Sequence, residues 1–107
     1  MKRGSIHWAH LDKRRPVVVI SPDRRNELAS DVIVVPCSTS GGQLRWHVRL
    51  ERGEGGLSSV CFAHCESVST LRKDVLDDRP IGKPLSPAKL RMIELAVLSA
   101  LGIANLQ

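Results

Sequence analysis

The chain has 107 residues, 42% of them apolar and 25% charged, with 8 Gly and 6 Pro; that size and balance describe one folded domain and exclude a two-domain enzyme, a disordered chain and a fibrous one. Sixteen Lys and Arg against eleven Asp and Glu give a formal charge of +5, and the excess lies in the first half, where residues 1 to 49 hold nine basic and four acidic groups. Such a field draws polyanions, so nucleic acid is the first partner it suggests. No stretch approaches the roughly 20 apolar residues of a spanning helix. The start Met1, Lys2, Arg3, Gly4 lacks the apolar run of a signal peptide, and three Cys make no disulfide framework. The expectation is a cytosolic chain without a membrane segment and with reduced thiols.

Ser5 to Leu11 is predicted as a first strand and the β-branched run Val17 to Ile20 as a second, joined into a hairpin by the basic turn Asp12, Lys13, Arg14, Arg15, Pro16. Ser21, Pro22 and Asp23 mark a turn, Arg24 to Ala29 a short helical segment, and Val32 to Val35 a third strand that Pro36 is expected to end. Strands two and three are expected to be buried. A polar loop, Ser38, Thr39, Ser40, Gly41 and Gly42, precedes Arg45 to Leu50, where Trp46, Val48 and Leu50 alternate with Arg45, His47 and Arg49. That alternation predicts a strand with one apolar and one cationic face.

After the Gly-rich loop Arg52 to Gly56, Ser59 to Ala63 is predicted as a fifth strand paired with the fourth, with Val60 and Phe62 on one side and Ser59, Cys61 and Ala63 on the other. Trp46 and Phe62 are expected on core faces. Glu66 to Thr70 is a further candidate strand, Leu71 to Leu76 a single helical turn and Arg79 to Pro84 an extended connector. Ser86 as N-cap, Pro87 at the first helical position, and Leu90, Ile93, Val97, Ala100 and Leu101 at helical spacing predict a C-terminal helix that Gly102 ends. Leu98, off that stripe, adds apolar surface beyond what one sheet covers. The whole chain, residues 1 to 107, is therefore expected to be one α+β or mainly β domain, a small antiparallel barrel or curled sheet with the helix packed on one side.

Three groups of residues can carry chemistry: the basic turn Lys13, Arg14, Arg15; the hydroxyls of Ser38, Thr39 and Ser40; and the histidines His7, His10, His47 and His64. Taken singly, each is an ordinary turn or loop feature. Their positions say more, because Arg15 opens strand two and Ser38 closes strand three, and antiparallel neighbours bring such ends to one rim. A guanidinium makes paired hydrogen bonds to phosphate and keeps its charge at any working pH, so Arg15 beside a hydroxyl makes an anion clamp suited to charge growing on phosphorus. His47, sharing the cationic face with Arg45 and Arg49, is a candidate helper in proton transfer. Cys61, His64 and Cys65 lack a standard zinc spacing, so no metal site is expected; Cys37 is expected to be a core thiol, and Glu66 and Asp74 surface charges.

Lys2, Arg3, Gly4, then Ile6 and Trp8, then Leu11 and Asp12 resemble the opening basic-Gly-x-I-W-x-x-x-L-D strand of the MazF/PemK family of toxin endoribonucleases. The stretch Arg14, Arg15, Pro16, Val17, Val18, Val19, Ile20, Ser21, x, Asp23, x, x, Asn26 is similar to the family's R-P-V-L-V-I-S-x-D-x-x-N signature, and Val32 to Val35, Pro36, Cys37, Ser38, Thr39, Ser40 to its V-x-V-x-P-x-T-S segment. Ile81, Gly82, Leu85 and the final helix resemble its I-G-x-L region and closing helix. The likeness runs over residues 2 to 103, with four motifs in the family's order.

The resemblance implies a curled, SH3-like β-barrel, a homodimer, and cofactor-free, metal-independent cleavage of single-stranded RNA, often messenger RNA, at short sequences. It also implies an antitoxin that holds the protein inactive, expected to lay an acidic, partly disordered segment over the cationic groove. The family's essential Arg falls on Arg15 and its essential Thr on Ser38, with Thr39 the alternative if the register slips by one. Lys13, Arg14, Asn26, Ser40, Arg45, His47 and Arg49 are the expected RNA contacts. The loop between Leu11 and Arg15 is shorter than in fuller family members, and Ser stands where they carry Thr. The rival from another class is a non-catalytic barrel toxin, or an RNA-binding module, that inhibits a protein target such as a topoisomerase.

Overall fold

Leu11, Asp12 and Lys13 close a hairpin between β1 (Ile6–His10) and β2 (Arg14–Val19) in a computed structural model that describes residues 1–103; residues 104–107 of the expected domain lie outside them. A short helix, α1 (Asp23–Leu28), leads to β3 (Asp31–Ser38), which pairs with β2 through Val17 opposite Pro36, Val18 opposite Val35 and Val19 opposite Val34. β4 (His47–Leu50) and β5 (Cys61–His64) form a second hairpin, and β6 (Ser69–Arg72) returns to β3. The six strands make one antiparallel curled sheet in the order β1-β2-β3-β5-β4, with β6 also on β3. The C-terminal helix, α2 (Pro87–Ala100), is capped as expected, Ser86 accepting the Lys89 N–H with Pro87 in the first turn. The curled, barrel-like sheet with one packed helix matches the architecture that the sequence predicts.

β3 is where the sheet turns. Its first half pairs with β6, from Asp31 opposite Arg72 to Val34 opposite Ser69, and its last residues pair with β5, Cys37 opposite Ala63 and Ser38 opposite Phe62. Pro36 does not end the strand. Ile33 accepts the Ile20 N–H, so alternate positions from Ile33 face β2, and the donor that Pro36 lacks would point to the other edge. There Pro36 falls between β6 and β5 and pairs with neither, so the missing N–H forfeits no ladder bond.

Alternation along β2 and β3 feeds two cores. Val18, Val35 and Cys37 join Ile6, Val48, Leu50, Ala63, Ile93 and Val97 under α2, whereas Val17, Val19, Val32 and Val34 pack with Ala9 and Leu76 on the opposite face. Both strands are thus buried on two sides, as their unbroken β-branched runs predict. Two expectations fail here. Phe62 is half-buried on the face opposite Cys61 and Ala63, which are the buried residues of β5. Leu101, which spacing puts on the buried stripe, is exposed, and Ala96 is buried in its stead beside Ile93 and Val97.

The S-x-D-x-x-N stretch braces the turn between β2 and β3. The Ser21 hydroxyl donates to Asn26 Oδ1 at 2.5 Å and accepts the Ile33 N–H, while the Asn26 amide donates to the carbonyls of Ser21 and Met1. Asp23 accepts the Arg3 N–H, and the Arg3 guanidinium reaches both the Ile20 carbonyl and Glu94 of α2. His7 and His10 likewise are structural ties, His7 to the Asp77 carbonyl and His10 to the Asp77 carboxylate.

Candidate active site

Proline at the start of β2 opens the site. The last β2–β3 pair is Val17 opposite Pro36, and continuing that register by two residues sets Arg15 opposite Ser38. The ladder stops short of them because Pro16, whose position faces β3, has no N–H to offer. The two strand ends part around a cleft of about 570 Å³, lined on one side by Lys13, Arg14, Arg15 and Pro16 and on the other by Cys37, Ser38 and Thr39. The loop Gly56, Leu57, Ser58 and Ser59 and the connector residue Ile81 supply the remaining wall and floor.

Arg15 is exposed at the cleft mouth, and Ser38 is half-buried. The Ser38 hydroxyl accepts the Ser40 N–H at 3.2 Å and lies 3.0 Å from the Ser40 hydroxyl. Arg14 stacks its guanidinium 4.1 Å from the centre of the Trp8 ring, which itself lines the cleft. Among the described lining residues, Lys13, Arg14 and Arg15 carry charge and no carboxylate or imidazole is present. The arrangement is a cationic, hydroxyl-bearing groove with a flat aromatic surface beside it, suited to a phosphodiester and a neighbouring base.

Below the hydroxyls the floor is thiol-rich. The Cys37 thiol is pushed well up by its hydrogen bond to Cys61 and by burial, while the same bond pulls the Cys61 thiol down against burial. Burial pushes Cys65 up to about 12. All three cysteines are free and buried, in line with their expected packing role.

The structure brings Lys13, Arg14, Arg15, Ser38 and Thr39 together in the cleft lining; of the other expected RNA contacts, Ser40 stays bonded to Ser38 just outside the lining, and Asn26, Arg45, His47 and Arg49 lie apart from it. Asn26 is fully buried, with its amide committed to the turn. Arg49 is exposed but paired with Glu51 at 2.8 Å. Arg45 precedes β4 and lies over the Trp46 ring, so the expected cationic face of β4 does not form. Ser40 turns its carbonyl to His64 at 2.8 Å and its hydroxyl to Ser38. His47 is almost wholly covered, its Nδ1 accepting the Gly42 N–H at 3.0 Å and its Nε2 donating to Glu66 at 2.9 Å. Both nitrogens are therefore engaged away from the cleft. Trp8, Pro16, Cys37, Gly56, Leu57, Ser58, Ser59, Cys61 and Ile81 are the lining residues that sequence reading left out of the site. The aromatic at Trp8, beside the basic turn, was the one local signal for them.

His47, His64 and Glu66 bring one donor atom each within 4.8 Å of one another. The two imidazole rings are stacked, 4.1 Å between centroids and 13° between planes. Nitrogen lone pairs lie in the ring plane, and planes so nearly parallel share no nearby point, so the two rings as placed do not converge on one ion.

A family model described as PemK-like, MazF-like toxin of type II toxin-antitoxin system matches residues 2–101. The chain belongs to this family. A probable endoribonuclease MazF of Mycolicibacterium smegmatis is 34% identical over an alignment 112 residues long that covers 98% of this chain and 100% of that relative. Among solved structures, the toxin MazF-mt6 of Mycobacterium tuberculosis aligns over 94% of this chain and 99% of its own with a TM-score of 0.84 and 26% identity. An endoribonuclease in complex with its cognate antitoxin, from a mycobacterial species, aligns over 98% of each chain with a TM-score of 0.83 and 25% identity. In this MazF-like toxin the matched region takes in β1 through α2, and with them every lining residue of the cleft.

Proposed function

We propose that this MazF-like toxin is a metal-independent endoribonuclease that cuts single-stranded RNA, messenger RNA above all, at short sequences in the cytoplasm. The observation that carries the reading is the meeting of Arg15 with Ser38 and Thr39 across a cleft whose charged lining is wholly cationic. The name of the M. smegmatis relative, a probable endoribonuclease, supports it.

In this reaction the RNA supplies its own nucleophile. The 2′-hydroxyl gives up its proton as the O2′–P bond forms, the P–O5′ bond breaks, and O5′ takes a proton, leaving a 2′,3′-cyclic phosphate and a 5′-hydroxyl. Negative charge grows on the non-bridging oxygens, and the Arg15 guanidinium meets it with paired, charge-assisted hydrogen bonds. The Ser38 or Thr39 hydroxyl donates to one of those oxygens and holds the phosphate in line. Lys13 and Arg14 take neighbouring phosphates, and Trp8 offers a stacking surface for a base.

Two partners follow from the same surfaces. The cationic cleft fits an acidic, extended segment of a cognate antitoxin, which would exclude RNA by occupying Arg15. The exposed apolar side chains Met92, Leu95, Leu101 and Ile103 on and after α2 fit a second copy of the chain in a homodimer. The test is digestion of a single-stranded RNA and its DNA counterpart in excess chelator, with end groups identified. Cyclic-phosphate ends from RNA alone support the reading. Intact RNA that still binds transfers it to the non-catalytic module.

A further inference from the structure

The loop that follows Ser38 has little apolar anchorage of its own. From Ser38 to Gly42 it is made of hydroxyl residues and glycine, with Thr39, Ser40 and Gly42 exposed. It is held by two bonds on either side of Gly41, from the His64 Nε2 to the Ser40 carbonyl at 2.8 Å and from the Gly42 N–H to His47 Nδ1 at 3.0 Å. The geometry points to His47 and His64 as positioning residues, a stacked imidazole pair that clamps this loop and so sets the Ser38 and Thr39 hydroxyls for cleavage. The inference rests on the nuclease reading above.

Donor logic fixes which ring nitrogen carries a proton at each contact. A carbonyl only accepts, so His64 carries its proton on Nε2; an amide N–H only donates, so His47 Nδ1 is bare. His47 then carries its proton on Nε2, which donates to the Glu66 carboxylate. The two histidines stand directly opposite each other in the β4–β5 register, on a rigid hairpin. The loop backbone lies against their edges: a Cβ at Gly41 would come within 2.8 Å of His64 Nε2 and 3.0 Å of His47 Nδ1. From His64 the contact passes to Ser40, whose N–H and hydroxyl both reach Ser38 Oγ. Neither imidazole lines the cleft, so the pair acts through the loop rather than on substrate.

The test sets wild type against His47→Asn/His64→Gln and His47→Leu/His64→Leu. The amides place an acceptor near the Nδ1 position and a donor near the Nε2 position, whereas leucine supplies neither. Three quantities are read on the full chain: hydrogen exchange at the Gly42 amide, single-turnover cleavage of a single-stranded RNA, and affinity for its uncleavable 2′-O-methyl form. The leucine variant is expected to exchange Gly42 faster and to cleave about 10- to 100-fold more slowly, the cost of a slightly misplaced group, with affinity within about twofold of wild type. The amide variant is expected to recover both. Unchanged exchange at Gly42, wild-type cleavage by the leucine variant, or an amide variant as slow as leucine overturns the clamp. If the leucine pair does not fold, single His64→Leu carries the same comparison. Failure of wild type to cut RNA refutes the nuclease reading instead, and Gly42 exchange then decides the clamp alone.

Discussion

A Cβ on Gly82 would lie 2.6 Å from the Cα of Gly56 and 2.9 Å from its amide nitrogen. The connector at Ile81 and Gly82 therefore crosses the Gly-rich loop backbone to backbone, and that crossing holds Ile81 and Leu57 in the cleft wall. Gly82→Ala is expected to cost about 3 kcal/mol, because the neighbouring atoms are main chain and cannot rotate away. Chemical denaturation read by circular dichroism checks it; a midpoint equal to wild type would show that the crossing is looser than this.

The thiols are expected to react in a fixed order. Cys61 lines the cleft with its thiol pulled down by the Cys37 hydrogen bond, while Cys65 is pushed up to about 12 by burial and Cys37 is also raised. The thiolate is the nucleophile, so iodoacetamide at neutral pH should label Cys61 first in the folded protein, and bound 2′-O-methyl RNA should slow it. Mass spectrometry of timed digests reads the order, and Cys65 or Cys37 labelling ahead of Cys61 contradicts it.

Glu66 ties stability to acid. Burial pushes its carboxyl up, but the hydrogen bond to His47, one from its own backbone, and the neighbouring His47 and His64 rings together bring it below the ordinary 4.5. A folded-state value below the unfolded one means the unfolded chain binds more protons at acid pH, so the increment is present above about 4.5 and lost as pH falls through the folded value. Glu66→Gln keeps an acceptor for His47 but not the charge. It is expected to lower Tm by about 3 °C at neutral pH, the size of one exposed charge-assisted hydrogen bond in a domain of this length, and to match wild type near pH 3. A difference that persists undiminished in acid refutes the assignment.

The exposed leucines on and just after α2 are expected to hold two chains together. Leu95→Glu/Leu101→Glu should convert a species with the mass of two chains into one with the mass of a single chain, by light scattering at micromolar concentration, without loss of helical signal. A wild-type monomer would remove that interface.

What was legible in the sequence was what local chemistry decides. A β-branched run names β2, Ser86 followed by Pro87 names the start of α2, and an Arg before Pro at a strand start places Arg15 at the rim. Pro36 misled because the harm of a missing N–H depends on which edge of β3 is paired there, which is settled by β5 and β6 far along the chain. The cationic face of β4 misled for a similar reason: period two puts His47 and Arg49 on one side, but Glu66 and Glu51 engage them there. Asn26 belongs to a motif that contains Arg15, yet it serves the turn rather than the cleft. The cleft itself draws its lining from β1, β2, β3, β5 and four connecting segments, a convergence that no single window of sequence contains.

In the proposed reaction Arg15 stabilises the transition state in the cleft it shares with Ser38. The most direct measurement of that role is the single-turnover cleavage rate of Arg15→Ala against wild type on one single-stranded RNA in excess chelator, with affinity for the 2′-O-methyl form measured alongside. The expected rate is lower by about 10²- to 10³-fold, the loss seen when one charge-stabilising donor is removed, with affinity changed far less. An Arg15→Ala protein that cuts RNA at the wild-type rate would contradict it.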